Sequence, residues 1–243
     1  MVTDLSAEPV SRPILESGFV WRVFYVFAAL AVLSVAISVA GRYAGRAIAM
    51  AGHTDDTSLA EIVIGNDVLS VPRNMIRFET ARQGGVTGRL DLYMRWPDLS
   101  GYTDAARAQF NHAAGSADIL FVSLTPRMMS RDMSGRYGPI YSQLTEATGS
   151  TMAGGLAIRR FIETSGYGNE ILVTGERRVG DPWLARCLDG SAAAESLAPC
   201  ERDVHVGEDL SLSYRFPRQL LRDWKMLDEA VMARVNGMIR TAQ

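Results

Sequence analysis

Two cysteines, Cys187 and Cys200, carry the most narrowly defined chemistry in this sequence. The segment between them, Leu188 to Pro199, is small, polar and turn-rich, so the chain can fold back and bring the sulfurs together. The flanking segments Trp183–Leu188 and Arg202–Val206 have strand character, which sets the pair across a hairpin. A disulfide closing a loop of this size contributes roughly 3 kcal/mol in the chain-entropy model. Such bridges persist in the periplasm or outside the cell, not in the cytosol. A metal pair is the poorer reading, because His205 is the only imidazole nearby and zinc takes four ligands.

The arginine couplets Arg159-Arg160 and Arg177-Arg178 are the candidates for an anion site. If their strands pair, one residue of each couplet could share a face and form a fork-like patch for phosphate or carboxylate. Glu163, Glu170 and Glu176 could equally neutralise them as ordinary outward-facing charge. Gly149-Ser150-Thr151-Met152-Ala153-Gly154-Gly155 is the richest glycine segment, but a phosphate loop adds a lysine that is missing here. It is expected to be a flexible turn into the strand Gly155–Ile162. Ser150 lacks the G-x-S-x-G elbow of a nucleophile. His53, His112 and His205 are the three histidines, and no two have metal-ligand spacing. Glu201/Asp203 and Glu208/Asp209 are sequence neighbours at strand ends, where acids are usually solvated rather than paired across a substrate. No catalytic, metal or cofactor signature emerges, and no cofactor is expected.

Whole-chain chemistry narrows the field further. The hydrophobic fraction of 47% lies in the ordinary globular range, which excludes disorder and a multi-span membrane protein. A net charge of −2 argues against nucleic acid as a partner. Lys225 is the only lysine, and the arginines are scattered along the chain.

Near the N-terminus, Val23 to Ala40 runs without a charge, bounded by Arg22 and Arg42. At the helical rise this stretch is about 27 Å long, close to the hydrocarbon thickness of a bilayer. Trp21 and Tyr43 sit just outside it, where amphipathic rings favour the lipid–water boundary. The run is apolar on every side, unlike the striped helix of a soluble core. Arg42 and Arg46 separate it from the A-x-A pattern at Ala47-Ile48-Ala49, so an uncut anchor is expected rather than a cleaved signal peptide. Arginines are balanced across the run, and the cysteines therefore decide the orientation. Ala36, Ala40 and Ala44 give a small-residue spacing through which two such helices could form a homodimer.

The division that follows is a cytoplasmic tail at 1–22, a transmembrane helix at 23–41, a juxtamembrane linker at 42–57 and an extracytoplasmic domain at 58–243. In that domain Leu59–Ile64 and Asp67–Val71 form a hairpin around Gly65-Asn66. Arg89–Trp96 alternates strictly, and Asp118–Thr125 is a buried strand. Thr103 caps a short helix over Asp104–Ala114. Arg127–Tyr141 is a surface excursion. Further strands fall at Glu170–Thr174, Trp183–Leu188, Asp203–Val206 and Leu210–Phe216. Arg218–Thr241 is a long helix whose positions Leu220, Trp224, Leu227, Val231, Val235 and Met238 form one apolar face. About eight strands without regular strand–helix alternation predict an α+β class. It comprises a transmembrane helix, a mainly antiparallel β domain, a short helix and a long C-terminal amphipathic helix.

The function this supports is a single-pass, membrane-anchored, non-enzymatic binding or accessory module in the periplasm. It would be held in a bacterial inner membrane and act on other envelope proteins. The alternative is an envelope hydrolase, with Ser150 and His205 among its residues, or a small-anion-binding protein whose site is assembled from distant residues.

Overall fold

The structure is a computed structural model describing residues 17–50, 52–112 and 118–240, with side chains at 18–41 in the first range. The chain divides into two compact units, residues 1–49 and 50–243. In the first unit, helix α1 spans Ser17–Met50, and none of the side chains in its apolar stretch Gly18–Gly41 is buried. The helical backbone continues through residues 42–50, the first part of the segment read as a juxtamembrane linker. Positions 42–50 contain Ala44, Ala47 and Ala49 and no proline, so nothing in them breaks a helix. Residues 1–16 of the tail, and the side chains of Arg42, Tyr43, Ala44 and Arg46, lie outside the described residues.

The second unit is α+β. Strands β1 (Leu59–Ile64) and β2 (Asp67–Pro72) form the expected hairpin, and β3 (Gly85–Val86) adds to β1 in parallel. The end of the chain closes the β2 edge: Ser70 N–H donates to the Met238 carbonyl, and Arg240 N–H to that of Val68, each at 2.8 Å. The main sheet holds β4 (Leu90–Arg95), β5 (Ile119–Pro126), β6 (Ser150–Met152), β7 (Leu156–Arg160), β8 (Glu170–Arg178), β9 (Asp181–Leu188), β10 (Cys200–Val206) and β11 (Leu210–Phe216). Its order is β4-β5-β11-β10-β9-β8-β7-β6, antiparallel throughout.

The strand count exceeds the expected eight because short strands lack a readable alternation. Half of the glycine segment taken for a turn is β6, and the turn proper uses Gly154 and Gly155 at φ 84° and 73°, which suit glycine. The short helix is a 3₁₀ turn at Asp104–Ala106 followed by α2 (Arg107–Phe110). Thr103 caps the turn as expected, its hydroxyl accepting from Ala106 N–H at 3.2 Å. Positions 113 and 114, the expected end of that helix, lie outside the described residues. Two one-to-two-turn helices follow, α3 (Ser142–Leu144) and α4 (Gly190–Glu195), the second inside the loop read only as turn-rich. The C-terminal helix α5 (Trp224–Asn236) is preceded by a 3₁₀ segment, Arg218–Asp223, and is shorter than expected.

Alternation divides the sheet into two faces. Cys200 and Val206 of β10, and Leu210, Leu212, Tyr214 and Phe216 of β11, point into the main core. There they meet the apolar stripe of α5, whose Trp224, Leu227, Val231 and Val235 are all buried, and the inner face of the β1–β2 hairpin. Gly175 lets the helix come this close: a Cβ there would stand 2.8 Å from both Trp224 and Leu156. The outer face is covered in parts. The excursion Arg127–Tyr141 does not simply skirt the surface, because Met133 and Tyr141 are buried with Phe161, Leu172 and Leu184 over β8 and β9. At the other edge Tyr93, Tyr102, Ala106, Phe110 and Ile119 make a second small core.

Candidate binding groove

Between these two covers the outer face of β5, β11 and β10 stays open. Its outward positions are Phe121, Ser123 and Thr125 on β5, Ser211, Ser213 and Arg215 on β11, and Glu201 and Asp203 on β10. The serines are short, so the face sinks into a groove of about 640 Å³. Arg89, Asp91 and Arg77 wall one side, and the Glu195–Ala198 turn after α4 walls the other. Cross-strand register sets Phe121 opposite Arg215, and Arg215 opposite Glu201.

The charges in this groove are unequally satisfied. Arg89 holds Asp91 through both carboxylate oxygens, at 2.8 and 3.0 Å. Glu201 accepts from Ser213 Oγ at 3.2 Å and lies 4.0 Å from Arg186. Arg215 is exposed, and its contact is a 3.4 Å hydrogen bond to Ser196 Oγ. Arg77 is exposed, with its guanidinium carbon 5.2 Å from the ring centres of both Phe78 and Phe121. Neither Arg77 nor Arg215 has a carboxylate within ion-pair distance among the described residues. Glu195 is exposed on the rim, also outside an ion pair. Ser123 Oγ is buried beneath the groove floor, without a hydrogen-bond partner among the described residues. The arrangement can bind an elongated polar surface, with Phe121, Arg77 and Arg215 together in its lining.

The sequence-derived candidates distribute differently. Cys187 and Cys200 are bonded, S–S 2.02 Å, and are direct cross-strand partners on β9 and β10. The arginine couplets do lie on paired strands, but register parts them. Arg159 faces Leu172, so Arg177 sits five positions further along β8, about 16 Å away. Arg159 donates to Tyr137 Oη at 2.8 Å, and Arg160 lies 3.6 Å from Asp189. Arg177 clamps Asp181 and Asp228, while Arg178 is exposed. The expected shared patch is therefore not formed. Ser150 and His205 are also apart: β6 and β10 are separated by three intervening strands, about 19 Å. Asp203 pairs with Arg136, yet burial still raises its carboxyl above the usual range. Asp209 pairs with Arg127 at 2.8 Å.

Two features escaped the sequence. The groove was written in the hydroxyl-rich outward positions of β5 and β11, but only the strand order shows that they adjoin. The second is a buried polar knot. Asp228 accepts from Arg202 Nε at 2.9 Å, Arg177 Nη1 at 3.0 Å and Tyr214 Oη at 2.7 Å. Its signal was an arginine on the inward phase of β10 and an aspartate one turn after Trp224 on the apolar stripe of α5. Arg202 sits where β9 and β10 part. Their ladder holds only Cys200↔Cys187 and Glu201↔Arg186, and Arg202 Nη1 then donates to the Leu184 carbonyl at 2.9 Å in place of backbone.

No family model matches the chain, and none of the curated proteins does. Among solved structures it is similar in fold to Smlt3025, an immunity protein of the Stenotrophomonas maltophilia type IV secretion system. The TM-score is 0.50 at 14% identity, over 76% of this chain and 94% of that one. A weaker likeness, TM-score 0.43 at 10% identity, is to the Neisseria meningitidis iron-regulated outer membrane lipoprotein FrpD, over 76% and 95% of the two chains. At these identities the likeness is one of fold.

Proposed function

We propose that the chain is a single-pass, membrane-anchored binding or accessory module whose domain acts on other envelope proteins from the periplasmic side of a bacterial inner membrane. The role is non-enzymatic. The exposed apolar stretch Gly18–Gly41 supports the anchor. The Cys187–Cys200 bridge supports an oxidising compartment for residues 50–243, which leaves the N-terminal tail in the cytoplasm. The observation that carries the binding role is the groove, where Arg77 and Arg215 flank Phe121 without carboxylate partners. Aromatic and arginine side chains of this kind dominate binding energy at protein interfaces. An anchor suits a partner that is itself at the membrane, because tethering raises effective concentration.

The test is chemical crosslinking in intact cells, followed by purification of the full-length chain in detergent. An envelope protein should be enriched over a control in which the same helix carries an unrelated domain. Equal recovery from both would overturn the reading.

The fold shared with a secretion-system immunity protein favours one particular form of this role, protection against a protein delivered into the envelope. A strain lacking the chain should then be depleted in co-culture with its parent, and equal survival would remove this form alone.

A further inference from the structure

We infer that the groove lined by Arg77, Phe121 and Arg215 receives an acidic segment of a protein partner, with a carboxylate held by the two guanidiniums and apolar neighbours on either side of it. This rests on the binding role proposed above and specifies its occupant.

Charge bookkeeping inside the groove decides the sign. Asp91 is consumed by Arg89 in a two-point contact, and Glu201 is engaged by Ser213 and approached by Arg186. Among the described residues, the groove groups outside any ion pair are two guanidiniums, Arg77 and Arg215, and one exposed rim carboxylate, Glu195. Both guanidiniums line the same groove. Arg77 sits 5.2 Å from the Phe121 centre, and Arg215 is the cross-strand neighbour of Phe121 on β11. An arginine fork matches a carboxylate in two-point geometry, and a pair of forks on one site selects for carboxylate over ammonium.

Apolar surface lies on both sides of this charged centre. Phe78 is 50% exposed beside Arg77, and Leu197 is 48% exposed on the opposite wall. A carboxylate bound between them is shielded from water, which strengthens its hydrogen bonds. An elongated acidic-apolar segment satisfies all of these groups together. A basic segment would meet Glu195 and the half-exposed Glu201 but leave both guanidiniums unanswered.

The experiment places a photoreactive amino acid at Thr125, inside the groove, in the full-length chain in living cells. A second chain carries it at Val179, which is 98% exposed at the β8–β9 turn. Adducts are mapped to the residue by mass spectrometry. The Thr125 adduct should lie within a few residues of an Asp or Glu flanked by apolar side chains. Its yield should fall by roughly tenfold or more in Arg77→Gln/Arg215→Gln, while Arg127→Gln leaves it unchanged. Charge reversal by Arg215→Glu should be rescued when the mapped acid is changed to lysine.

An adduct with a basic segment or with lipid, or one that survives Arg77→Gln/Arg215→Gln, overturns the inference. Adducts from Val179 alone would overturn it too, while leaving the binding role standing. Absence of protein adducts at both positions would count against the binding role itself.

Discussion

Arg202 and Asp228 form an ion pair of 2.9 Å between the sheet and helix α5, with side chains 0% and 2% exposed. Burying two charges costs several kcal/mol per ion before pairing, so the pair holds only while every partner is present. Tyr214 and Arg177 complete the shell around the carboxylate, and the guanidinium of Arg202 lies 5.5 Å from the centre of the Trp183 ring. Asp228→Ala strands the sealed guanidinium and should cost about 3–5 kcal/mol in urea unfolding. The double change Arg202→Met/Asp228→Leu should recover a large part of that loss. A double variant as unstable as the single one would show that the pair acts through something other than its charge.

Tyr214 extends this to pH. Burial, reinforced by the Asp228 carboxylate, pushes its hydroxyl well above the ordinary value of 10.0. The native state therefore holds the proton that an unfolded chain releases. Stability should fall as pH rises past about 10, and Tyr214→Phe should remove the Tyr214 share of that loss, leaving the shares of Tyr93, Tyr102 and Tyr141, whose hydroxyls burial also raises. An unchanged alkaline slope in Tyr214→Phe would contradict the assignment.

At the entrance to the second unit, His53 stacks on Tyr102 with ring centres 4.6 Å apart, and its Nδ1 lies 2.8 Å from Tyr93 Oη. Nε2 faces Asn111 Oδ1 at 3.2 Å, so Nε2 carries the proton and the Tyr93 hydroxyl donates to Nδ1. Burial lowers the His53 pKa below 6.5, opposed by the Asn111 hydrogen bond and helped by the charge of Arg82. Burial lowers His112 in the same direction. Above 6.5 both states are neutral at these positions and stability is full. As pH falls through 6.5 the unfolded chain takes up protons first, and stability declines until the native imidazoles protonate. His53→Phe, which keeps a ring against Tyr102, should flatten part of the acid limb between pH 7 and 5. An identical acid limb would show that His53 is not the titrating group.

The bridge between Cys187 and Cys200 closes a loop with a sequence separation of 13. Cys187→Ser/Cys200→Ser should lower stability by roughly 3 kcal/mol in chemical denaturation. Equal midpoints for the bridged and serine forms would show that the loop between them constrains the unfolded chain little.

Gly175 is a test of packing. A methyl group there meets Trp224 and Leu156 at 2.8 Å, inside van der Waals contact. Gly175→Ala should cost about 1–3 kcal/mol by pushing α5 off the sheet. Trp224 Nε1, which donates to the Gly154 carbonyl at 3.0 Å, would report the shift through its fluorescence.

What could be foreseen follows from which interactions are local. The β1–β2 hairpin was written in Gly65-Asn66 and the alternation around it, and its register came out as that turn requires. The face of α5 was written in the spacing of Trp224, Leu227, Val231 and Val235. The cystine was legible because two cysteines have only one pairing. Strand order was not, since no local pattern tells β5 that its neighbour is β11, eighty-odd residues on. The groove depends on that adjacency. So does the failure of the arginine couplets to meet, because a register offset is invisible until strands are paired. Asp228 and Arg202 each break the apolar phase of their element, and such a break points to a buried partner without naming it.

The most direct test of the account uses Lys225, the only lysine in the chain, which is exposed at the start of α5. A membrane-impermeant amine reagent is added to spheroplasts with the inner membrane intact, and labelling is read by mass spectrometry. An anchored chain with its domain in the periplasm predicts that Lys225 is labelled while the inner membrane is still intact. Labelling of Lys225 only after the inner membrane is opened would contradict it.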